Sequence, residues 1–284
     1  MKHTLLIALM GTCFIWTACG GSGSNTSSTT DTAAAANDTS KVMAIKEESV
    51  DITADTTTMK SFVAYDESKS DKRPIVLVVP EWWGVTDFTR SKARQLAQEG
   101  YFALVVDMYG NGRTADNPDA AMGYAGGFYK NPQLSTGRLL AALEKAKTYP
   151  QADSSKTAAI GFCFGGSMVL NAAKMGAPLD GVVSFHGGLQ GVPPAKNTVT
   201  SKILVLNGAA DPYVPAQDIA NFKKQLDSAG VPYTFKDYPG ALHAFTNPQA
   251  DELARKFKMD VGYNEAADRN SWNDMKAFFA DLWK

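Results

Sequence analysis

The sequence predicts an α/β protein with a mostly parallel β-sheet that is covered by helices on both faces. Two observations lead to this prediction. Segments with the apolar content of buried strands alternate along the chain with segments of helical periodicity. In addition, residues 73–80 and 102–106 are nearly continuous apolar runs, which are typical of parallel strands buried on both faces.

The predicted elements follow one another in a regular order. Two β-segments come before the strand at residues 73–80, and a helix that stops at Gly100 joins this strand to the next one. In chain order, the predicted strands are 48–53, 59–65, 73–80, 102–106, 157–160, 181–185, 203–207 and 233–238, and the predicted helices are 86–99, 119–129, 133–148, 164–175, 216–228 and 263–283. Functional residues are expected in the loops after the parallel strands, because sites in such sheets lie at the carboxyl ends of the strands.

The first residues of the chain have the pattern of an export signal. A charged start is followed by an apolar run at residues 4–16 that is too short to span a bilayer comfortably. The segment Trp16-Thr17-Ala18-Cys19 resembles the lipobox of bacterial lipoproteins, with Trp16 where an aliphatic residue is usual. We expect a signal peptide over residues 1–18 and a lipid on Cys19. The alternative is an ordinary signal peptide that is cut nearby.

This leader predicts an exported protein that is lipid-anchored in the bacterial envelope, facing the periplasm or the cell surface. From residue 20 to about residue 38 the chain contains Gly, Ser, Thr, Ala, Asn and Asp without apolar periodicity. Residues 19–47 are therefore predicted to be a lipid-anchored disordered tether. Residues 48–284 are predicted to be the folded domain, and the 284-residue chain with 44% hydrophobic residues has room for one large domain of this kind.

The charge distribution restricts the partners of the protein. The formal net charge is −1 and both signs are interspersed, so the chain lacks the basic stripe that binds a phosphate backbone. Nucleic acid is therefore not expected as a partner, and membrane contact is expected only through the N-terminal lipid. The sequence makes no prediction of the oligomeric state.

The stretch Gly-Phe-Cys-Phe-Gly-Gly at residues 161–166 has the pattern of a nucleophile elbow that carries cysteine. Glycines on both sides relieve crowding in this turn, and a helix N-terminus or a nearby base can generate the nucleophilic thiolate. Cys13 lies in the signal peptide and Cys19 would carry lipid, so Cys163 is left without a disulfide partner. The alternative interpretation of Cys163 is a buried structural cysteine.

Hydrolases of this plan carry an acid and then a histidine downstream of the nucleophile. Asp211 follows the strand at residues 203–207 and is the candidate acid, whereas His243 follows the last strand and is the candidate base. The imidazole would accept the thiol proton, and the carboxylate would fix its tautomer. His186 is the competing base. The carboxylate that precedes it, Asp180, lies at the opposite end of the same strand, which favours a pocket-wall or strand-capping role for His186.

Acyl chemistry also needs backbone N–H groups that stabilise an oxyanion. The first expected donor is the N–H of Phe164, which directly follows the nucleophile at the start of a helix. The second is the N–H of Trp82 in the loop after the strand at residues 73–80.

Five ordered motifs resemble the dienelactone hydrolase family over roughly residues 51–284. They are Pro-Glu-Trp-Trp-Gly at 80–84, Asp-Met-Tyr at 107–109, the elbow at 161–166, Asp-Pro at 211–212 and Gly-Ala-Leu-His-Ala-Phe at 240–245. The resemblance implies an α/β-hydrolase fold, a Cys163–His243–Asp211 triad and acyl chemistry through a thioester on a small-molecule ester or lactone. It implies neither a metal nor an organic cofactor.

The resemblance also implies that Glu81 contacts the resting thiol and takes part in its activation when substrate binds. The alternative for Glu81 is a surface carboxylate beside two tryptophans. Trp83 is expected either to line the acyl pocket or to pack the loop. Tyr109 is also expected in the pocket.

Two positions bear on the substrate. Family members that act on dienelactone place arginines against the substrate carboxylate, and the matching positions here are Asn111 and Asn247. Arg113 lies close to the first of these positions and would replace its arginine only if the loop were repositioned. A neutral ester or lactone is therefore expected in preference to charged dienelactone.

The leading prediction is an exported, cysteine-dependent hydrolase of carboxylic esters or lactones. An acyltransferase or thioesterase with the same triad is the enzyme alternative, because water or another nucleophile can resolve an acyl-cysteine. A ligand-binding lipoprotein that keeps the fold without turnover is the alternative from another class.

Overall fold

The structure, a computed structural model, describes residues 43–194 and 197–284. Within this part of the chain lie eight strands: β1 (Ile45–Ala54), β2 (Thr57–Asp66), β3 (Arg73–Val79), β4 (Phe102–Val105), β5 (Ala152–Phe162), β6 (Gly181–Phe185), β7 (Lys202–Gly208) and β8 (Tyr233–Tyr238). They form one sheet in the order β1-β2-β4-β3-β5-β6-β7-β8. β2 pairs antiparallel with β1 and with β4, and all neighbours from β4 to β8 are parallel.

Helices cover both faces of this sheet. They are α1 (Asp87–Gln98), α2 (Pro118–Lys130), α3 (Pro132–Lys147), α4 (Phe164–Lys174), α5 (Ala216–Ala229), α6 (Ala250–Phe257) and α7 (Glu265–Leu282). Side chains alternate across β3, so that Leu77 packs in one apolar cluster with residues of α3, α4 and α5, while Val78 packs in a second cluster with residues of α1 and α7. The predicted α/β class with a mostly parallel sheet is confirmed.

The main differences from the predicted elements lie where polar residues form structure. β1 begins at Ile45, before the predicted domain boundary at residue 48, because its Lys-Glu-Glu segment is held by backbone pairing with the end of β2. Residues 45–47 therefore belong to the domain and not to the tether. The sequence did not predict α6, a short helix in which charged and apolar residues are equally frequent and of which only Ala250 is buried.

The predicted N-terminal segments lie almost entirely outside the residues that the structure describes. The signal peptide at residues 1–18, Cys19 and the tether up to residue 42 lie outside the described residues. Within residues 43–194 and 197–284, none of the helices combines the length and apolarity needed to cross a bilayer.

The parallel strands bring five loops to one edge of the sheet. Five parallel strands lie side by side in the sheet in the order β3-β5-β6-β7-β8, and each of them ends at this edge. The residues that follow these strands are Glu81, Cys163, His186, Asp211 and His243. Segments far apart in the sequence therefore meet above the carboxyl ends of the strands.

Candidate active site

Cys163 lies in a sharp turn between β5 and α4. It is the N-cap residue of α4, with φ 52° and ψ −114°, an unusual backbone conformation for a residue with a side chain. A Cβ at Gly161 would lie 2.1 Å from the carbonyl oxygen of Gly165, and a Cβ at Gly165 would lie 2.2 Å from the carbonyl oxygen of Val79. Both glycines are therefore required for the tight contact of α4 with the sheet.

Asp211 and His243 form a hydrogen-bonded pair. Asp211 is buried, and its Oδ2 lies 2.8 Å from Nδ1 of His243. Its other oxygen, Oδ1, accepts a 2.8 Å hydrogen bond from the backbone N–H of Tyr213. Burial opposes a charge on His243, but the charge of Cys163 and the hydrogen bond to Asp211 outweigh it and raise the pKa of His243 well above its usual value. Asp211 is therefore placed to stabilise a protonated His243 next to Cys163.

His186 has a different environment. Its side chain is buried, and its ring nitrogens contact the backbone N–H of Cys163 and the hydroxyl of Thr246. Burial, together with the nearby charges of His243 and Lys92, lowers the pKa of His186 well below its usual value. Among the described residues the carboxylate partner belongs to His243, so the geometry favours His243 over His186 as the base.

Glu81 is buried beside the same cavity, with only 3% of its surface exposed. The alternative of a surface carboxylate is therefore wrong. Its Oε2 accepts a 2.8 Å hydrogen bond from Nδ2 of Asn247. Burial raises the pKa of Glu81 to about 7, although the bond to Asn247 and the charges of His243 and Lys92 act in the opposite direction. Within the described part of the chain no hydrogen bond joins the Glu81 carboxyl group to Cys163.

A cavity of about 390 Å³ lies in front of Cys163 and His243. Its walls are mostly apolar or aromatic, and they come from α2, α4, α5 and α6 and from the loops at the carboxyl edge of the sheet. The lining residues are Glu81, Trp82, Trp83, Met122, Tyr129, Cys163, Ser167, Gly188, Leu189, Gln190, Tyr213, Val214, Asp218, His243, Ala244, Leu253, Met259 and Val261. Neither lysine nor arginine occurs among these described lining residues.

Trp83 has both of the roles expected for it. It lines the cavity, and its ring also packs edge-on against Trp82 at 5.2 Å between centroids and stacks on Phe257 at 5.9 Å. Trp82 lines the cavity as well, so its backbone belongs to the same wall as the Cys163 thiol. Phe164 is the first residue of α4, and its N–H therefore has no partner within the helix.

Four residues predicted for the substrate pocket do not line the cavity: Tyr109, Asn111, Arg113 and Asn247. The Tyr109 hydroxyl donates a 2.8 Å hydrogen bond to the carbonyl oxygen of Trp82 and so supports the wall from behind. Asn247 is buried and holds Glu81. Asn111 and Arg113 are exposed on the turn after β4.

The position of that turn has a clear physical cause. Oδ2 of Asp107 accepts 2.8 Å hydrogen bonds from the backbone N–H groups of Lys60 and Gly112, and Oδ1 accepts one of 2.9 Å from that of Gly110. The backbone N–H of Asn111 also donates to Thr58. These bonds pull the turn back onto β2 and away from the cavity.

Most residues of the cavity wall were not predicted from the sequence. Tyr213 and Val214 lie two and three residues after Asp211 and could have been predicted from that position alone. Met122 and Tyr129 on α2 carry no motif, and neither does Leu253 on α6. These residues reach the cavity only because their helices pack over the edge of the sheet.

A cysteine at a strand-to-helix elbow, with an aspartate–histidine pair on later loops at the same sheet edge, defines an α/β hydrolase. A profile of the dienelactone hydrolase family matches residues 59–283 of the chain. The chain therefore belongs to the dienelactone hydrolase family, and the protein is a hydrolase of this family. The resemblance that the five sequence motifs indicate is confirmed.

Known proteins resemble the chain over most of its length. A Salmonella typhimurium protein named "Putative carboxymethylenebutenolidase" is 27% identical over 235 residues, which cover 78% of this chain and 82% of that protein. A dienelactone hydrolase-like promiscuous phosphotriesterase from metagenomic libraries is 33% identical in its crystal structure, with a TM-score of 0.79, and the match covers 84% of this chain and 99% of that one. The structure of m3DLH is 32% identical, with a TM-score of 0.80 and the same two coverages.

Proposed function

We propose that the protein is an exported, cysteine-dependent hydrolase of neutral carboxylic esters or lactones that acts through an acyl-Cys163 intermediate. One observation carries this proposal: Cys163, at the N-terminus of α4, shares a cavity with His243, whose Nδ1 is hydrogen-bonded to buried Asp211. Nucleophile, base and orienting acid thus have the arrangement that acyl transfer requires.

The proposed reaction has two steps. His243 holds the thiol proton while the Cys163 thiolate attacks the ester carbonyl carbon, and the N–H groups of Phe164 and Trp82 stabilise the oxyanion that forms. When this intermediate collapses, the carbon–oxygen ester bond breaks and His243 gives its proton to the leaving alkoxide. Water, deprotonated by His243, then attacks the thioester and releases the acid and Cys163. Asp211 stabilises the imidazolium in both steps.

Glu81 is the further titratable group of this site. Since its pKa is about 7, its carboxyl group can gain or lose a proton near neutral pH. We propose that it takes part in the activation of the thiol when substrate binds, as the family resemblance implies. Its burial beside the cavity supports this role.

The cavity wall supports an uncharged substrate. Apolar and aromatic side chains dominate the lining, and the carboxyl groups of Glu81 and Asp218 are its acidic members. A substrate carboxylate would lose hydration on entry without gaining a lysine or arginine partner from the described lining. Asn111 is exposed and lies outside the cavity, so the composition of the wall is what favours an uncharged substrate.

We expect at least about a tenfold lower kcat/KM for an aryl ester that carries a carboxylate than for its neutral isostere, because about 1.4 kcal/mol already gives tenfold discrimination. Asp218→Asn should reduce this ratio, since it removes negative charge from the cavity. Asn111→Arg is the matched control and should leave the ratio unchanged. A preference of the unmodified enzyme for the carboxylate ester or for dienelactone would contradict the proposal.

The reaction class is tested by a screen of the purified protein against neutral and acidic lactones and aryl esters. Mass spectrometry after acid quenching should find the acyl group on Cys163. Products formed with added alcohols or thiols separate a hydrolase from an acyltransferase, because only the latter passes most of the acyl group to the added nucleophile. Absence of any acylation by activated esters would support the ligand-binding alternative.

A second candidate substrate is a neutral aryl phosphotriester. The similar protein from metagenomic libraries is named a promiscuous phosphotriesterase, and a cavity wall without lysine or arginine among the described residues suits an uncharged triester as well as an ester. In this case the thiolate would attack phosphorus and expel the aryloxide. Release of 4-nitrophenol from a dialkyl 4-nitrophenyl phosphate tests this candidate.

We also propose that a lipid on Cys19 anchors the protein in the bacterial envelope. The charged start, the short apolar run and the Trp-Thr-Ala-Cys segment support this proposal. Cys19→Ala should release the protein from the membrane fraction without changing its specific activity, because the predicted tether separates the lipid from the domain. Cys13→Ala is the matched control and should stay anchored. A single soluble pool of the unmodified protein with no lipid mass on Cys19 would refute the anchor.

A further inference from the structure

His186 is the buried titratable residue of this region that the proposed reaction does not use. It directly follows β6, none of its surface is exposed, and it does not line the cavity. The residue therefore does not touch a substrate in the cavity. Its position between the nucleophile turn and the loop of His243 nevertheless gives it contacts with both.

Both ring nitrogens of His186 have partners. Nδ1 accepts a hydrogen bond from the backbone N–H of Cys163 at 3.1 Å, so the ring proton of the neutral imidazole is on Nε2. Nε2 lies 2.8 Å from Oγ1 of Thr246, and the hydroxyl oxygen therefore accepts this proton. The ring thus joins the backbone of the nucleophile to a side chain in the loop that carries His243.

The backbone at both ends of the first bond is unusual. Cys163 has φ 52° and His186 has φ 41°, values that residues with a side chain rarely adopt. Conformations of this kind persist only where the surroundings hold them in place. The N–H of Cys163 also donates to the carbonyl oxygen of Phe185 at 3.0 Å, so the end of β6 holds the nucleophile turn through two acceptors.

The second bond reaches the base. Thr246 is buried and lies three residues after His243, in a turn that the hydrogen bond from the N–H of Asn247 to the carbonyl oxygen of Ala244 closes. The rings of His186 and His243 pack edge-on, with 5.3 Å between their centroids. A shift of His186 would therefore move the nucleophile turn and the histidine loop relative to each other.

We propose that His186 is a positioning residue that sets the placement of the Cys163 turn against the His243 loop. The proposal rests on the proposed function of Cys163 and His243. It requires His186 to be neutral, since a proton on Nδ1 would remove the acceptor for the N–H of Cys163. The groups whose charge bears on this ring are His243 and Lys92, which both favour the neutral form, and Cys163 lies next to it.

The test compares Thr246→Val, Thr246→Ser, His186→Asn and His186→Phe. Thr246→Val removes the acceptor for Nε2 and should lower kcat about tenfold with little change in KM, whereas Thr246→Ser should retain most of kcat. His186→Phe should lower kcat by roughly 10- to 100-fold. His186→Asn keeps an acceptor near Nδ1 and should recover part of that loss. Ser184→Ala, a buried change on β6 at a hydroxyl without a hydrogen-bond partner in the described structure, is the matched control.

A second measurement needs no substrate. The rate at which iodoacetamide alkylates Cys163 at pH 6 reports how well His243 is placed to take the thiol proton, because only the deprotonated thiol reacts. Thr246→Val and His186→Phe should lower this rate about tenfold at pH 6 and leave it nearly unchanged at pH 9.5. A role in stability alone would lower the melting temperature without this change in the pH profile. The double variant of both residues should lose little more than His186→Phe, because they act through one bond.

The inference is overturned if Thr246→Val and His186→Phe keep kcat and the alkylation profile within twofold of the unmodified protein, or if Ser184→Ala loses as much as they do. If His186→Phe does not fold, Thr246→Val decides the question. If the unmodified protein hydrolyses no ester, the proposed function fails, and the alkylation profile still decides the role of His186.

Discussion

Cys163→Ala should abolish ester hydrolysis, with a loss of about 10⁴-fold or more in kcat, because the variant has no atom that can form the acyl intermediate. The fold should persist, since Cys163 is partly exposed in the turn before α4 and lines the cavity. Initial rates with a neutral aryl ester and thermal melting measure the two effects. Iodoacetamide should inactivate the unmodified protein while labelling Cys163.

Cys163→Ser is the sharper probe of the same site. A hydroxyl group is far less acidic than a thiol, so His243 would remove its proton far less readily than it removes the proton of the Cys163 thiol. The serine variant should therefore lose much of the rate although its side chain has nearly the same shape. Ester turnover at the unmodified rate in Cys163→Ala would exclude Cys163 as the nucleophile.

The second large effect is expected at the two partners of the nucleophile. His243→Ala and Asp211→Asn should each lower kcat by roughly 10³- to 10⁴-fold with little change in folding, because members of a triad act as a unit. Asp211→Asn keeps the shape of the buried side chain but removes the charge that lies 2.8 Å from Nδ1 of His243. The asparagine amide would also favour the wrong imidazole tautomer.

His186→Ala provides the comparison for these two variants. It should cost much less than His243→Ala, because His186 positions the loops and has no carboxylate partner among the described residues. Kinetics at matched melting temperatures make the comparison. Equal losses from the two histidine variants would overturn the assignment of His243 as the base. A double variant of Cys163 and His243 should lose little more than Cys163→Ala alone.

The sequence predicted the parts of the fold that depend on local pattern. The apolar runs of β3 and β4 are buried on both faces as expected, and the glycines at 161 and 165 lie where a Cβ would collide with neighbouring backbone. The order of nucleophile, acid and histidine was enough to select Asp211 and His243, which the structure places in hydrogen-bond contact. These features follow from neighbouring residues or from the order of strands.

The substrate pocket was predicted less well, because its walls depend on contacts between distant segments. Asn247 meets Glu81 across 166 residues of sequence instead of facing the substrate. Asp107 draws the turn that carries Asn111 and Arg113 back onto β2. No local pattern distinguishes these positions from pocket positions.

The sequence by itself determined the α/β class, the family, the nucleophile elbow and the chain order of the candidate triad. Only the tertiary structure decided that Leu253 on α6 lines the cavity, that Glu81 is buried with Asn247, and that His186 joins the elbow to the loop of His243. The physical reason is that strand and elbow formation depends on periodicity and backbone sterics, which neighbouring residues encode. The partners of a buried polar side chain depend on which strand ends and helices pack together at one edge of the sheet.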